Sequence, residues 1–258
     1  MSRPVPASLT AAALPQLAHV WRADQLSQEL APTLGTGDAG LDAQLPGGGW
    51  PQGALIELLQ DQAGRHDWRL LLPALAAWVR HHRGPVVLVG APHAPFGPSL
   101  TAQGLPGERL LWVDSAAPAA RLWACEQALR CADVAAVLSW LPQARASQLR
   151  RLQMTAQEHG KPLFVFRPAT ARHESSPAPL RLLLGGADEM VVQILKRRGP
   201  PSAVPLVLPA QPPRLAALLA ASRRSREAAP ALQPPVPAAT VIPLRRTHAL
   251  DRIASPLG

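Results

Sequence analysis

Cysteine is scarce, with only Cys125 and Cys131 among 258 residues. Both fall in one expected helix, so they define no disulfide framework. They also lack the close pairs with further His or Cys that a metal site requires. What remains is two small buried apolar residues in a reducing cytosol. Long apolar runs are missing too. No stretch approaches the ~18 uninterrupted apolar residues of a spanning helix. Pro4, Pro6 and Pro15 break up the N-terminal run that a secretory signal needs. A cytoplasmic protein is expected.

Acidic residues run short at one end of the chain. The formal net charge is +9, but the segment from Lys196 to Gly258 alone carries +8, with only Glu227 and Asp251 against its arginines and Lys196. The first 195 residues are nearly neutral at +1. The same segment holds 12 of the 30 prolines. Proline at that density removes backbone donors and blocks helices, so residues 200–258 are expected to form a basic, largely disordered tail. Within it, Leu215, Leu218 and Leu219 keep helical spacing over Pro213–Arg224. Residues 1–32 form an N-terminal segment with a short expected helix, His19–Leu30.

Hydrophobic residues make up 47% of the chain and support a sizeable core. Candidate strands are Ala54–Leu59, Val86–Gly90, Leu110–Asp114, Val134–Trp140, Leu163–Phe166, Leu180–Leu184 and Val191–Lys196. Most are continuous apolar runs, as in strands covered on both faces. Helical stripes lie between them: Trp68, Leu71, Leu72, Leu75, Trp78 and Val79, then Leu122, Cys125 and Leu129, then Leu149, Leu152 and Ala156. Strand and helix alternating in this order predict an α/β domain over residues 33–199, with a mainly parallel sheet flanked by helices.

In such sheets ligands bind beyond the carboxyl ends of the strands. The first long strand leads into Gln60-Asp61-Gln62-Ala63-Gly64-Arg65-His66-Asp67, where a phosphate-binding loop belongs. A working loop needs glycines to turn backbone N–H groups toward the phosphates, a Lys for the β/γ-phosphates and a Ser/Thr for magnesium. Only Gly64 is present, and no Lys, Ser or Thr occurs between Gln60 and Trp68. Asp61 and Asp67 repel an anion, and the planar fork of Arg65 does not replace a compact ammonium. Pro73 is expected to delay the start of the next helix or to kink it. The loop Gln60, Asp61, Gly64, Arg65, His66 therefore reads as degenerate, with no ATP or other cofactor, no metal and no catalytic residue expected.

The stretch from Thr33 to Leu58, with Gly40-Leu41-Asp42, Gly47-Gly48-Gly49 and Pro51-Gln52-Gly53 before the strand, resembles the approach to a RecA-type core. More narrowly, the chain resembles the ImuA family, RecA-like proteins of bacterial translesion-synthesis cassettes that are also compared with the division inhibitor SulA. Trp21-Arg22-Ala23, Ala91–Phe96, Val137–Trp140, Leu195–Gly199 and the terminal His248–Ile253 carry that likeness. Against a true recombinase, Pro92 stands where the water-activating Glu belongs. Ser139 and Trp140 stand where the strand should end in a magnesium-associated Asp. Phosphoryl transfer depends on positioning and on neutralising charge, and all three contributors are lost together.

The resemblance implies a non-catalytic adaptor of error-prone translesion synthesis in the SOS response to DNA damage, nucleoid-associated when induced. Its implied partners are an ImuB-like Y-family protein, an error-prone C-family DNA polymerase and RecA. Two other readings stay open: a DNA-stimulated ATPase with a divergent site, and a SulA-like cell-division inhibitor. Contacts with partners or DNA are expected from Lys196, Arg197 and Arg198 after the last expected strand, and from Arg223, Arg224, Arg245 and Arg246 in the tail. Lys196–Arg198 reads equally well as a solvated strand exit. His93 reads as an ordinary loop histidine, Asp114 as a turn cap, and His81 and His82 as the polar end of a helix. The seven tryptophans read as core or partner-contact residues.

Overall fold

The computed structural model describes residues 32–187, 189–199 and 204–209. The expected helices His19–Leu30 and Pro213–Arg224, and the remainder of the tail, lie outside the described residues. So do Arg223, Arg224, Arg245 and Arg246.

A short antiparallel pair opens the described residues: β1 (Thr33–Leu34) and β2 (Trp50–Pro51), separated by α1 (Ala39–Gln44). The Asp38 side chain caps α1 by accepting from the Leu41 amide at 3.0 Å. The domain then runs β3 (Leu55–Gln60), α2 (Asp67–His81), β4 (Val86–Val89), α3 (Gly97–Ala102), β5 (Leu110–Val113), α4 (Pro118–Arg130), β6 (Ala136–Trp140), α5 (Ala146–Glu158), β7 (Leu163–Pro168), β8 (Leu180–Gly185), β9 (Glu189–Lys196) and β10 (Leu206–Pro209). Every strand expected from the sequence is present, with ends shifted by a residue or two.

These strands form one eight-stranded sheet in the order β10-β9-β8-β3-β7-β6-β4-β5. From β8 to β5 all neighbours are parallel, and β9 and β10 add antiparallel at one edge. The expected α/β architecture is therefore the observed one. Along β3 alternate side chains enter two cores. Ile56 and Leu58 join α1, α2 and Leu100 of α3 on one face. Leu55 joins α4 and α5 on the other. All six residues of β3 are buried, which explains why its sequence reads as a continuous run.

Two expectations differ from the structure. Pro73 does not delay α2, one of the two outcomes expected of it: the helix starts at Asp67, directly after the loop, and continues through Pro73 to His81. Pro73 is exposed, so water can reach the carbonyl left without a partner one turn earlier. Its ring packs on Gly37, where an added Cβ would lie 2.5 Å from the Pro73 Cβ. The second difference is at the far edge. Leu206–Pro209, assigned by composition to the tail, pairs with β9, and Arg69 of α2 donates to the Pro209 carbonyl at 2.7 Å. Proline is tolerated there because an edge strand has one side free of the ladder.

Candidate functional site

The loop between β3 and α2 sits at the carboxyl edge of the parallel strands, where a phosphate loop belongs. Gly64 takes φ +87°, a conformation that favours glycine. The loop after β4 packs against it, since a Cβ there would meet His93 Cδ2 at 3.0 Å and Pro92 Cγ at 3.4 Å. His93 is thus placed against the phosphate-loop glycine, a proximity that the sequence reading as an ordinary loop histidine did not contain.

The glycine amide of this loop is occupied from within the chain. The Gly64 amide donates to Asp67 Oδ2 at 3.2 Å, and the Trp140 indole N–H donates to the same oxygen at 2.9 Å. Asp67 is 1% exposed. Burial pushes its carboxyl above the ordinary carboxylate value, while Gln60, Trp140, Gly64 and His66 hold it down. Trp140 ends β6 at the position where a metal-associated Asp was looked for, and its ring stacks on Phe166 of β7 with centroids 4.6 Å apart. A triphosphate brought here would displace Asp67 from a loop amide and face its carboxylate across a filled indole site. The residues present do not fit ATP.

The other loop residues face the neighbouring turn. His66, buried, places Nε2 3.1 Å from the Gly186 carbonyl. Arg65 bonds Gln62 at 2.8 Å and the Ala187 carbonyl at 3.3 Å. Gln60 is buried at the end of β3, and Asp61 is exposed. Of the sequence-selected loop, Arg65 and His66 therefore tie it to the β8–β9 turn.

Two arrangements escaped the sequence reading. Arg121 of α4 lies across the ends of three strands. It donates to the Trp140 carbonyl at 3.3 Å and to Ser115, and its guanidinium crosses Gly90, where an added Cβ would lie 2.6 Å from Nε. Arg121 also lines a cleft of about 430 Å³ between the first turns of α4 and α5.

The second arrangement is a buried charge network spanning β7, β3 and β8. Glu57, fully buried, accepts from Arg167 Nη1 at 2.7 Å and from Arg181 Nε. Arg167 also bonds Glu174 at 2.6 Å and the Ala144 carbonyl at 3.0 Å. Burial works against the Arg167 charge, but Glu174 and Glu57 outweigh it and raise its pKa. Charged residues inside otherwise apolar strands were the available signal for this network.

Lys196 and Arg197 do not converge on the carboxyl edge. They leave β9 at the opposite end of the strands, where Lys196 donates to the Ser176 carbonyl at 3.0 Å and Arg197 to the Gln44 carbonyl. Arg197 and the exposed Arg198 line a cleft of about 680 Å³ there. Among the described residues no cluster of His, Cys, Asp and Glu is arranged to hold a metal, and no helix is long and apolar enough to cross a membrane.

The chain is 31% identical over 107 residues to a cell division inhibitor SulA from Edwardsiella piscicida. The aligned region is 42% of this chain and spans 64% of that relative's length. No family model matches the chain.

Proposed function

We propose that this protein is a non-catalytic adaptor in the SOS response to DNA damage. The observation that carries the reading is the Asp67 carboxylate, held by the Gly64 amide and the Trp140 indole where a phosphate would sit. The reading is supported by an α/β domain with a mainly parallel sheet whose loop after its first long strand is capped by the chain's own Asp67. The partial likeness to SulA supports the SOS association. The resemblance to the ImuA family supports error-prone translesion synthesis in particular, with an ImuB-like Y-family protein, a C-family polymerase and RecA as partners, and with a soluble protein that joins the nucleoid after damage.

Co-purification of the full chain with an ImuB-like protein tests this. Capture is expected, and clean failure with both proteins folded overturns it. Magnesium-ATP is expected to leave the melting temperature unchanged, and the protein to hydrolyse no ATP above background. Hydrolysis that drops on Arg65→Ala would favour an ATPase instead.

A second reading has its own support in the SulA likeness: inhibition of cell division through the tubulin-like division protein. Filamentation on expression, with damage-induced mutagenesis unaltered in a deletion strain, would select it over the adaptor.

A further inference from the structure

The cleft of about 680 Å³ lies at the amino ends of β3 and β8, on the opposite edge of the sheet from the phosphate loop. Its floor carries Pro51, Pro177, Pro179 and Leu180, and Gln157 and Gly160 close it on the side of α5. Gly53 adopts φ +61° and approaches Gly160, where an added Cβ would sit 3.4 Å from the Gly160 Cα. Residues 51–54 and the end of α5 are thereby held together as one wall. Gln153 fixes the depth of that wall by accepting from the Leu55 amide at 2.7 Å.

The charge of the cleft is one-sided. Arg197 and Arg198 line it, and no Asp or Glu is among its lining residues. Lys196 stands beside it, bonded to the Ser176 carbonyl. An anionic ligand is favoured, and the remaining chemistry decides which kind. Nucleic acid needs cations spaced along a track of phosphates. Here the lining cations are two chain neighbours, one of which, Arg197, is bonded to the Gln44 carbonyl, so they form no such track. A polypeptide suits this lining: its carboxylates pair with the exposed Arg198, and its apolar side chains rest on proline rings. Gln157, exposed at that end, offers both a donor and an acceptor.

We infer that this cleft binds an extended acidic segment of a partner protein, with Arg198 pairing its carboxylates and the proline floor receiving its apolar side chains. The inference rests on the adaptor reading and names the chemistry of one of its contacts.

Fluorescence anisotropy with the full-length protein tests it. The probe is a short labelled peptide in which Asp and Glu alternate with Val and Pro. The comparisons are the same peptide with Asn and Gln in place of the acids, and an oligothymidylate of equal charge. The acidic peptide is expected to bind, and the neutral peptide and the oligothymidylate to bind at least about tenfold more weakly. Arg198→Glu, at an exposed position, is expected to weaken the acidic peptide by about tenfold or more, and Gln157→Glu by a similar factor. Arg150→Glu makes the same charge change on the exposed side of α5 outside the cleft and is expected to change little.

Three results overturn the inference: equal binding of acidic and neutral peptides, equal loss with Arg150→Glu and Arg198→Glu, or preferred binding of the oligothymidylate. Binding that appears only after residues 1–31 are removed would assign the cleft to the chain's own N-terminal segment and overturn it likewise. Failure here with ImuB-like capture intact places the adaptor contact elsewhere. Failure of that capture with peptide binding intact removes the pathway and leaves the cleft.

Discussion

The indole N–H of Trp140 donates to Oδ2 of Asp67 across 2.9 Å, joining the last residue of β6 to the first residue of α2. It lies at the carboxyl ends of the parallel strands, the edge where ligands bind in open parallel sheets. A carboxylate kept from solvent needs donors, and here it takes them from Trp140 and from the Gly64 amide that would otherwise face a phosphate.

Burial raises the Asp67 pKa above its ordinary 3.8, so the folded protein holds this proton more tightly than the unfolded chain does. The group's contribution to stability is therefore fullest below 3.8 and is lost as pH rises through the higher folded value. Asp67→Asn keeps an oxygen to accept from Trp140 and removes the buried charge. It is expected to raise the urea midpoint at about pH 7 and to flatten the fall in stability above about pH 4. Urea melts across that range check both effects, and an unchanged slope would mean that another group sets it.

Glu57 is the shared anion of Arg167 and Arg181. Removing it leaves two buried guanidinium groups short of their counter-charge, although Arg167 keeps Glu174. Glu57→Ala is expected to cost about 3–5 kcal/mol, the range for breaking a buried pair on one side. Glu126→Ala, which breaks pairs to the half-exposed Arg130 and Arg151, is expected to cost about 1 kcal/mol or less. Denaturant unfolding of the two variants side by side makes the comparison.

Gly90 combines φ +66° with a guanidinium laid across it. Gly90→Ala forces Arg121 off the Ser115 and Trp140 carbonyls as well as straining the backbone. A loss of about 1–3 kcal/mol is expected. Gly97→Ala, with nothing within 4 Å of the added Cβ, is expected to change stability by about 0.5 kcal/mol or less. Thermal melts of both variants read the difference.

Cys125 is buried, and burial pushes its thiol up to about 12, with Ser139 acting in the opposite direction. Cys131, expected to be buried in the same helix, is instead exposed, because α4 ends at Arg130 and leaves it as the cap. Native protein at mildly alkaline pH is expected to react with a thiol reagent at Cys131 and to release Cys125 only on unfolding. Mass spectrometry of the labelled protein distinguishes the two sites.

The strands and helices were legible because their signals are local. A strand buried on both faces writes an apolar run, as β3, β4 and β6 do, and an amphipathic helix writes a stripe, as α2 and α5 do. The missing Lys, Ser and Thr of the phosphate loop were legible for the same reason. Pro73 misled because the rule against interior proline concerns the helix in isolation, while an exposed face lets water meet the freed carbonyl. Leu206–Pro209 was hidden by composition, since a strand of four residues bordered by prolines acquires its ladder only from β9.

By itself the sequence determined the α/β scaffold, the place of the phosphate loop and the list of groups that loop lacks. Only the tertiary structure decided what stands in their place. The Asp67–Trp140 bond joins residues 73 positions apart, and the Glu57–Arg181 pair joins residues 124 apart. Such partners are chosen by the register of parallel strands and by the start of α2. Hydrophobic period fixes which face a side chain takes, whereas register fixes which charge it meets there.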